Sequence, residues 1–204
     1  MSFFYPTLGA LAILAGFLFV VGRQNRDLLR ARPYGEFLVR LLPLLTAGVF
    51  VLGLPFVMDL TIEGNALLVL LVYLGGAGVL TVLMARLVAP EERRAGTLFK
   101  REEFEGAAAI YEGLIARRPL ARYYSALGAN LDASGDPRAA LEAADTAVKL
   151  DPKLGIAYYN RASALAALGE LTRAREDLQT ISRVDPNRRL RRAAEEALKT
   201  LDKG

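Results

Sequence analysis

The chain has 204 residues, 53% of them hydrophobic and 24% charged, and a formal net charge of +4. It contains neither cysteine nor histidine, which excludes disulfides, thiolate nucleophiles, most zinc sites and the usual general base. Its 26 basic and 22 acidic residues are mostly interleaved, a pattern of solvated helix faces rather than of nucleic-acid binding.

The apolar and charged residues separate sharply at Pro90. Before it the only charges are Arg23, Arg26, Arg30, Arg32, Arg40 and Arg86 with Asp27, Glu36, Asp59 and Glu63. This predicts an all-α chain of two domains: a transmembrane domain at 1–90 and a soluble one at 91–204.

Three apolar runs predict spans at about 5–22, 37–57 and 65–89. The first carries no charge, the second only Arg40 and the third only Arg86. Lengths near ~20 residues match a hydrocarbon core of ~30 Å at ~1.5 Å per residue. The first run does not read as a signal peptide, because Met1 to Pro6 lack a positive charge and no small-x-small cleavage site follows. Four arginines lie after the first run, only Asp59 and Glu63 charge the second connection, and Arg93 and Arg94 follow the third run. The positive-inside rule then sets the N-terminus outside and the C-terminal domain in the cytoplasm, as a multi-pass protein of the cell (inner or plasma) membrane. Arg40 sits one turn from the cytoplasmic end, where its stem can snorkel to the headgroups. Pro43 and Pro55 are expected to bend the second span. Ala12 with Gly16, and the run Gly75, Gly76, Ala77, Gly78, allow close helix packing, within the chain or against another membrane subunit.

Beyond Pro90 the chain repeats. Tyr124 and Tyr158, Gly135 and Gly169, Ala140 and Ala174, and Pro152 and Pro186 all lie 34 residues apart. Apolar residues inside each unit recur at helical spacing, and Gly135-Asp136-Pro137 supplies a turn followed by a helix start. Leu150-Asp151-Pro152 and Val184-Asp185-Pro186 end the second helices, since a residue before proline avoids the helical region.

These residues resemble the tetratricopeptide repeat (TPR). The resemblance covers repeats at 121–152 and 155–186, a degenerate repeat at 91–119 ending at Pro119, and a cap at 188–202. Tyr124, Leu127, Gly128, Ala140, Ala147 and Pro152 match in one repeat; Tyr158, Leu165, Gly169, Ala174, Leu178 and Pro186 match in the next, which departs at Arg161 and Ala162. In the degenerate repeat, Leu98 and Phe99 fit the first helix, Phe104 the turn, and Ala107 and Tyr111 the second helix. That repeat is expected to fuse to the end of the third span. The resemblance implies a short helical-hairpin solenoid whose first helices line a protein-binding groove. Arg122, Ser125, Tyr159, Asn160 and Ser163 fall at groove-facing positions. Ser125 and Ala129 stand where a carboxylate-holding clamp would need a base and an Asn. Arg188, Arg189, Arg191 and Arg192 form a basic cluster on the cap.

The expected function is a membrane-anchored scaffold that recruits a protein or peptide partner to the cytoplasmic face. The alternative is an accessory or assembly subunit of a larger integral-membrane complex, docking through its spans. No catalysis is expected: the apolar runs offer Thr46, Tyr73 and Thr81 but no Ser, His, Lys or acid to activate a nucleophile. No cofactor, metal, nucleic acid or small-molecule substrate is implied, and the glycine run lacks the Lys-Ser/Thr of a phosphate loop. Arginine outnumbers lysine 21 to 5, which with abundant Ala, Leu and Gly suggests a GC-rich bacterial genome.

Overall fold

A computed structural model describes residues 15, 16, 19, 22, 34–59 and 65–202. Most of the first expected span and the loop 60–64 therefore lie outside the described residues. The chain divides into two compact units, residues 1–90 and 91–204.

In the first unit, α1 (Tyr34–Asp59) and α2 (Ala66–Leu87) pack against each other. Among the described residues these two are long and apolar enough to cross a membrane. α1 is one continuous helix with Pro43 and Pro55 inside it. The Phe50 and Tyr73 rings meet edge to face at 5.2 Å, and the Tyr73 hydroxyl donates to the Phe50 carbonyl at 2.7 Å. Gly53 makes room for that hydroxyl, since a Cβ there would lie 2.5 Å from it. α2 buries none of its side chains.

α2 ends at Leu87, and the next helix begins at Pro90. The expected fusion of the third span to the first repeat is thus not seen. Proline lacks the amide that would continue the helix and pushes the preceding residue out of the helical region; Ala89 takes φ 45°.

The second unit contains α3 (Pro90–Lys100), α4 (Phe104–Arg117), α5 (Ala121–Ala133), α6 (Pro137–Leu150), α7 (Gly155–Ala167), α8 (Leu171–Val184) and α9 (Arg188–Leu201). The pairs α5/α6 and α7/α8 form hairpins, and neighbouring hairpins stack through α6/α7 and α5/α7. Alanine makes this closeness possible: Ala140, Ala144, Ala147, Ala157, Ala162, Ala164 and Ala174 are all buried. Where α5 crosses α6, a Cβ on Gly128 would lie 3.1 Å from the Ala140 carbonyl. α9 covers the last hairpin by packing Leu190, Ala194, Ala197, Leu198 and Leu201 onto Leu165, Leu178 and Ile181.

The α3/α4, α5/α6 and α7/α8 turns share one hydrogen-bond pattern. Gly135 (φ 91°) and Gly169 (φ 81°) donate to the carbonyls of Asp132 and Ala166, and their successors Asp136 and Glu170 donate to Leu131 and Leu165. Glu102 (φ 63°) and Glu103 repeat this with Phe99 and Leu98. The first turn therefore has the geometry of the others without their glycine. Phe104, expected in this turn, instead begins α4 and meets the Phe99 ring at 5.4 Å.

An aspartate ties the two ends of the repeat at 155–186 together. Asp185 accepts from the Asn187 amide at 2.9 Å and from the Gly155 amide, at the start of α7, at 3.2 Å. It thereby satisfies one of the free donors of that helix terminus.

Candidate functional site

The first helices α5, α7 and α9 lie side by side. Between α7 and α9 a groove of about 300 Å³ opens, lined by Tyr159, Ala162, Ser163, Ala166, Leu178, Ala197, Thr200 and Leu201. Eight uncharged side chains make a mainly apolar floor with hydroxyls at its rim. It suits an apolar anchor held by a few polar contacts, the usual composition of a binding concavity.

The residues expected in the groove fall into three groups. Tyr159 and Ser163 line it. Ser163 also donates to Asp132 of α5 at 2.6 Å, setting a carboxylate beside the opening. Asn160 and Ser125 are joined to each other: the Asn160 amide donates to the Ser125 carbonyl at 2.8 Å and to its hydroxyl at 3.0 Å. Ser125 is only 2% exposed, so this pair works between α5 and α7 as an inter-repeat tie. Arg122 is half-buried and lies 3.5 Å from the Glu92 carboxylate, among Tyr123 and Tyr111. Burial raises the Tyr123 and Tyr111 pKa values above the ordinary 10, with the Glu92 charge adding to both.

α9 contributes three residues that its reading as a simple cap left unassigned to a site. Ala197, Thr200 and Leu201 lie 34 residues after Ser163, Ala166 and Ala167. α9 thus continues the repeat register as one more first helix, and that step in the sequence is the signal that identifies it. Arg188, Arg189 and Arg192 are exposed, while Arg191 is half-buried and donates to the Pro186 carbonyl at 3.4 Å.

Arg161, where the repeat pattern has leucine, joins three helices. It donates to Asp177 of α8 through two nitrogens, at 2.7 and 2.6 Å, and to Asp145 of α6 at 2.8 Å. These hydrogen bonds, with Asp177 foremost, hold its proton far above the ordinary arginine range despite partial burial. Among the described residues no cluster of three carboxylates or other ligands could hold a metal ion.

Comparison with known proteins agrees with this architecture. A family model described as tetratricopeptide repeat matches residues 156–188. A human FK506-binding protein-like protein is 36% identical over 121 residues, covering 54% of this chain. The chain spans only about a third, 34%, of that relative's length. The Yersinia enterocolitica type III secretion translocator chaperone SycD superposes with a TM-score of 0.52 at 19% identity, over 60% of this chain and 91% of its own. The second TPR domain of human RPAP3, solved with the HSP70 peptide SGPTIEEVD, does so with a TM-score of 0.50 at 23% identity, over 56% and 93%. Residues 156–188 thus match a tetratricopeptide repeat, and the second unit shares the fold of solved tetratricopeptide-repeat domains.

Proposed function

We propose that this protein is a membrane-anchored TPR scaffold, whose cytoplasmic repeat unit recruits a protein partner through the groove between α7 and α9. The observation that carries the recruiting role is the open apolar concavity framed by Tyr159, Ser163 and Thr200. Structural neighbours such as the RPAP3 domain bind a peptide on the same fold, and this chain offers a groove of suitable size. Anchoring is supported by α1 and α2, which leave Leu67, Leu71, Val72, Val79 and Phe56 more than half exposed. In water such a surface would be an aggregation site; in lipid it is solvated. The apolar run at 5–22 would be a third span, and the distribution of arginines sets the repeats on the cytoplasmic side. Tethering raises the local concentration of whatever the groove holds, so modest affinity suffices to assemble partners.

A second reading, an accessory subunit of a larger membrane complex, is favoured by α2. It buries no residue, and a Cβ on Gly75, Gly76 or Gly78 would meet nothing within 4 Å. The two readings part when the full-length chain is purified in mild detergent beside its Ala197→Trp variant, which fills the groove. A partner lost from the variant supports recruitment through the groove. Integral membrane proteins retained equally by both would favour assembly through the spans, and an absence of any co-purifying protein would sink both.

A further inference from the structure

Resting on that reading of the groove, we infer that its ligand is a segment of a partner protein that inserts an uncharged apolar side chain and carries a lysine or arginine beside it. The chemistry of the walls excludes an acid-ended ligand of the SGPTIEEVD kind. None of the eight lining side chains is charged, so a carboxylate entering there would lose its hydration without gaining a cation. The nearest bonded charge has the wrong sign for it: Asp132, which accepts from the lining residue Ser163 at 2.6 Å. Asn160, the neighbouring amide that could have met a carboxylate, has its donors committed to Ser125. Arg122 is engaged with Glu92 and Tyr123. The groove therefore complements an apolar anchor through Ala162, Ala166, Leu178, Ala197 and Leu201, and a flanking cation through Asp132. Ser163 and Thr200, whose hydroxyl hydrogens go to Asp132 and to the Glu196 carbonyl, can accept from the ligand's backbone amides.

The test selects from a displayed library of random peptides on the full-length chain in detergent, and measures recovered peptides by fluorescence anisotropy. The expected consensus is a large apolar residue flanked by Lys or Arg, binding about tenfold more weakly to Ala197→Trp. Asp132→Lys, at a half-buried position outside the groove lining, should shift the selected flank from basic to acidic. Circular dichroism confirms that both variants retain their helices. Recovery of acid-ended peptides from the parent, or an unchanged consensus on Asp132→Lys, overturns the inference, as does a library that yields no peptide sensitive to Ala197→Trp. Acid-ended peptides would overturn this specificity while leaving recruitment standing; recruitment itself falls only with the co-purification above.

Discussion

Arg161 and Asp177 form a two-pronged ion pair between α7 and α8, with Nε to Oδ2 at 2.7 Å and Nη2 to Oδ1 at 2.6 Å. The Asp177 side chain is 9% exposed and that of Arg161 20%, so the pair is largely shielded from water. Removing the cation alone leaves a buried carboxylate unmatched, and Arg161→Met should cost about 3 kcal/mol of repeat-unit stability. Replacing both residues with leucine should fall within about 1 kcal/mol of the parent, because a hydrophobic pair avoids the desolvation cost. Thermal unfolding followed by circular dichroism decides it; a double variant as unstable as the single one would show that the charges give more than mutual compensation.

This pair marks the limit of what the sequence disclosed. The 34-residue step, the turn glycines and the prolines after each second helix are local signals, tied to backbone geometry, and they announced the hairpins. Arg161 appeared only as a departure from leucine, because its partners lie 16 residues away on either side, at Asp145 and Asp177. Likewise Ser125 and Asn160 share a face by spacing, yet their mutual bond depends on how closely two helices approach. The α9 stripe was legible as apolar, while its part in the groove required the register to be followed one step further. In the membrane-like unit, composition located α1 and α2, but the Tyr73–Phe50 contact is a matter of packing.

Glu102 occupies the left-handed region that Gly135 and Gly169 occupy in the other turns. A side chain there costs ~1–2 kcal/mol, partly offset in a glycine by its greater unfolded-state freedom. Glu102→Gly should therefore stabilise the repeat unit by about 1 kcal/mol, whereas Gly135→Ala and Gly169→Ala should each destabilise it by about that amount. Urea denaturation compares the three; a loss of stability in Glu102→Gly would contradict the strain assigned to this turn.

Gly155 begins α7 directly against Asp185, and a Cβ there would lie 2.5 Å from the Asp185 Cβ. That atom is fixed to the backbone and cannot swing aside. Gly155→Ala should cost about 1–3 kcal/mol through overpacking, and Asp185→Ala about 1 kcal/mol through loss of its bond to the Gly155 amide. Asp185→Ala keeps its own Cβ but removes the Oδ2 and Cγ atoms that would lie 2.7 and 2.9 Å from the new methyl, so relief is partial and the double variant should cost somewhat less than the two single changes together. Additive melting shifts would place the strain elsewhere.

Tyr111 and Tyr123 have pKa values raised above the ordinary 10, in both cases chiefly by burial. Below about pH 10 both are protonated in folded and unfolded chains alike, and their contribution is fully present. Above it the unfolded chain releases these protons first, so the folded state holds more protons and stability falls as pH rises. Tyr123→Phe loses the bond to Glu92 (3.0 Å) but also removes one of the two titrating groups. Its urea midpoint should start lower at neutral pH and decline less steeply between about pH 9 and about pH 11. An equal slope in parent and variant would exclude Tyr123 from the alkaline transition.

The absence of cysteine allows the proposed topology to be mapped with single introduced thiols and no background labelling. Arg26→Cys lies in the arginine-bearing first connection, Glu63→Cys in the acidic second one, and Ser134→Cys in the α5/α6 turn. If lysines and arginines set orientation, a membrane-impermeant maleimide added to intact cells should label only Glu63→Cys. Arg26→Cys and Ser134→Cys should react only after the membrane is opened. Substituting Arg26 also weakens the charge bias, so Gln24→Cys serves as the charge-neutral control at the same loop. Labelling of Ser134→Cys in intact cells would put the repeats outside and remove cytoplasmic recruitment. Labelling of Gln24→Cys with Glu63→Cys protected would mean that the whole bundle is inverted. Loss of the protein from membranes on alkaline washing would show that α1 and α2 do not anchor it at all.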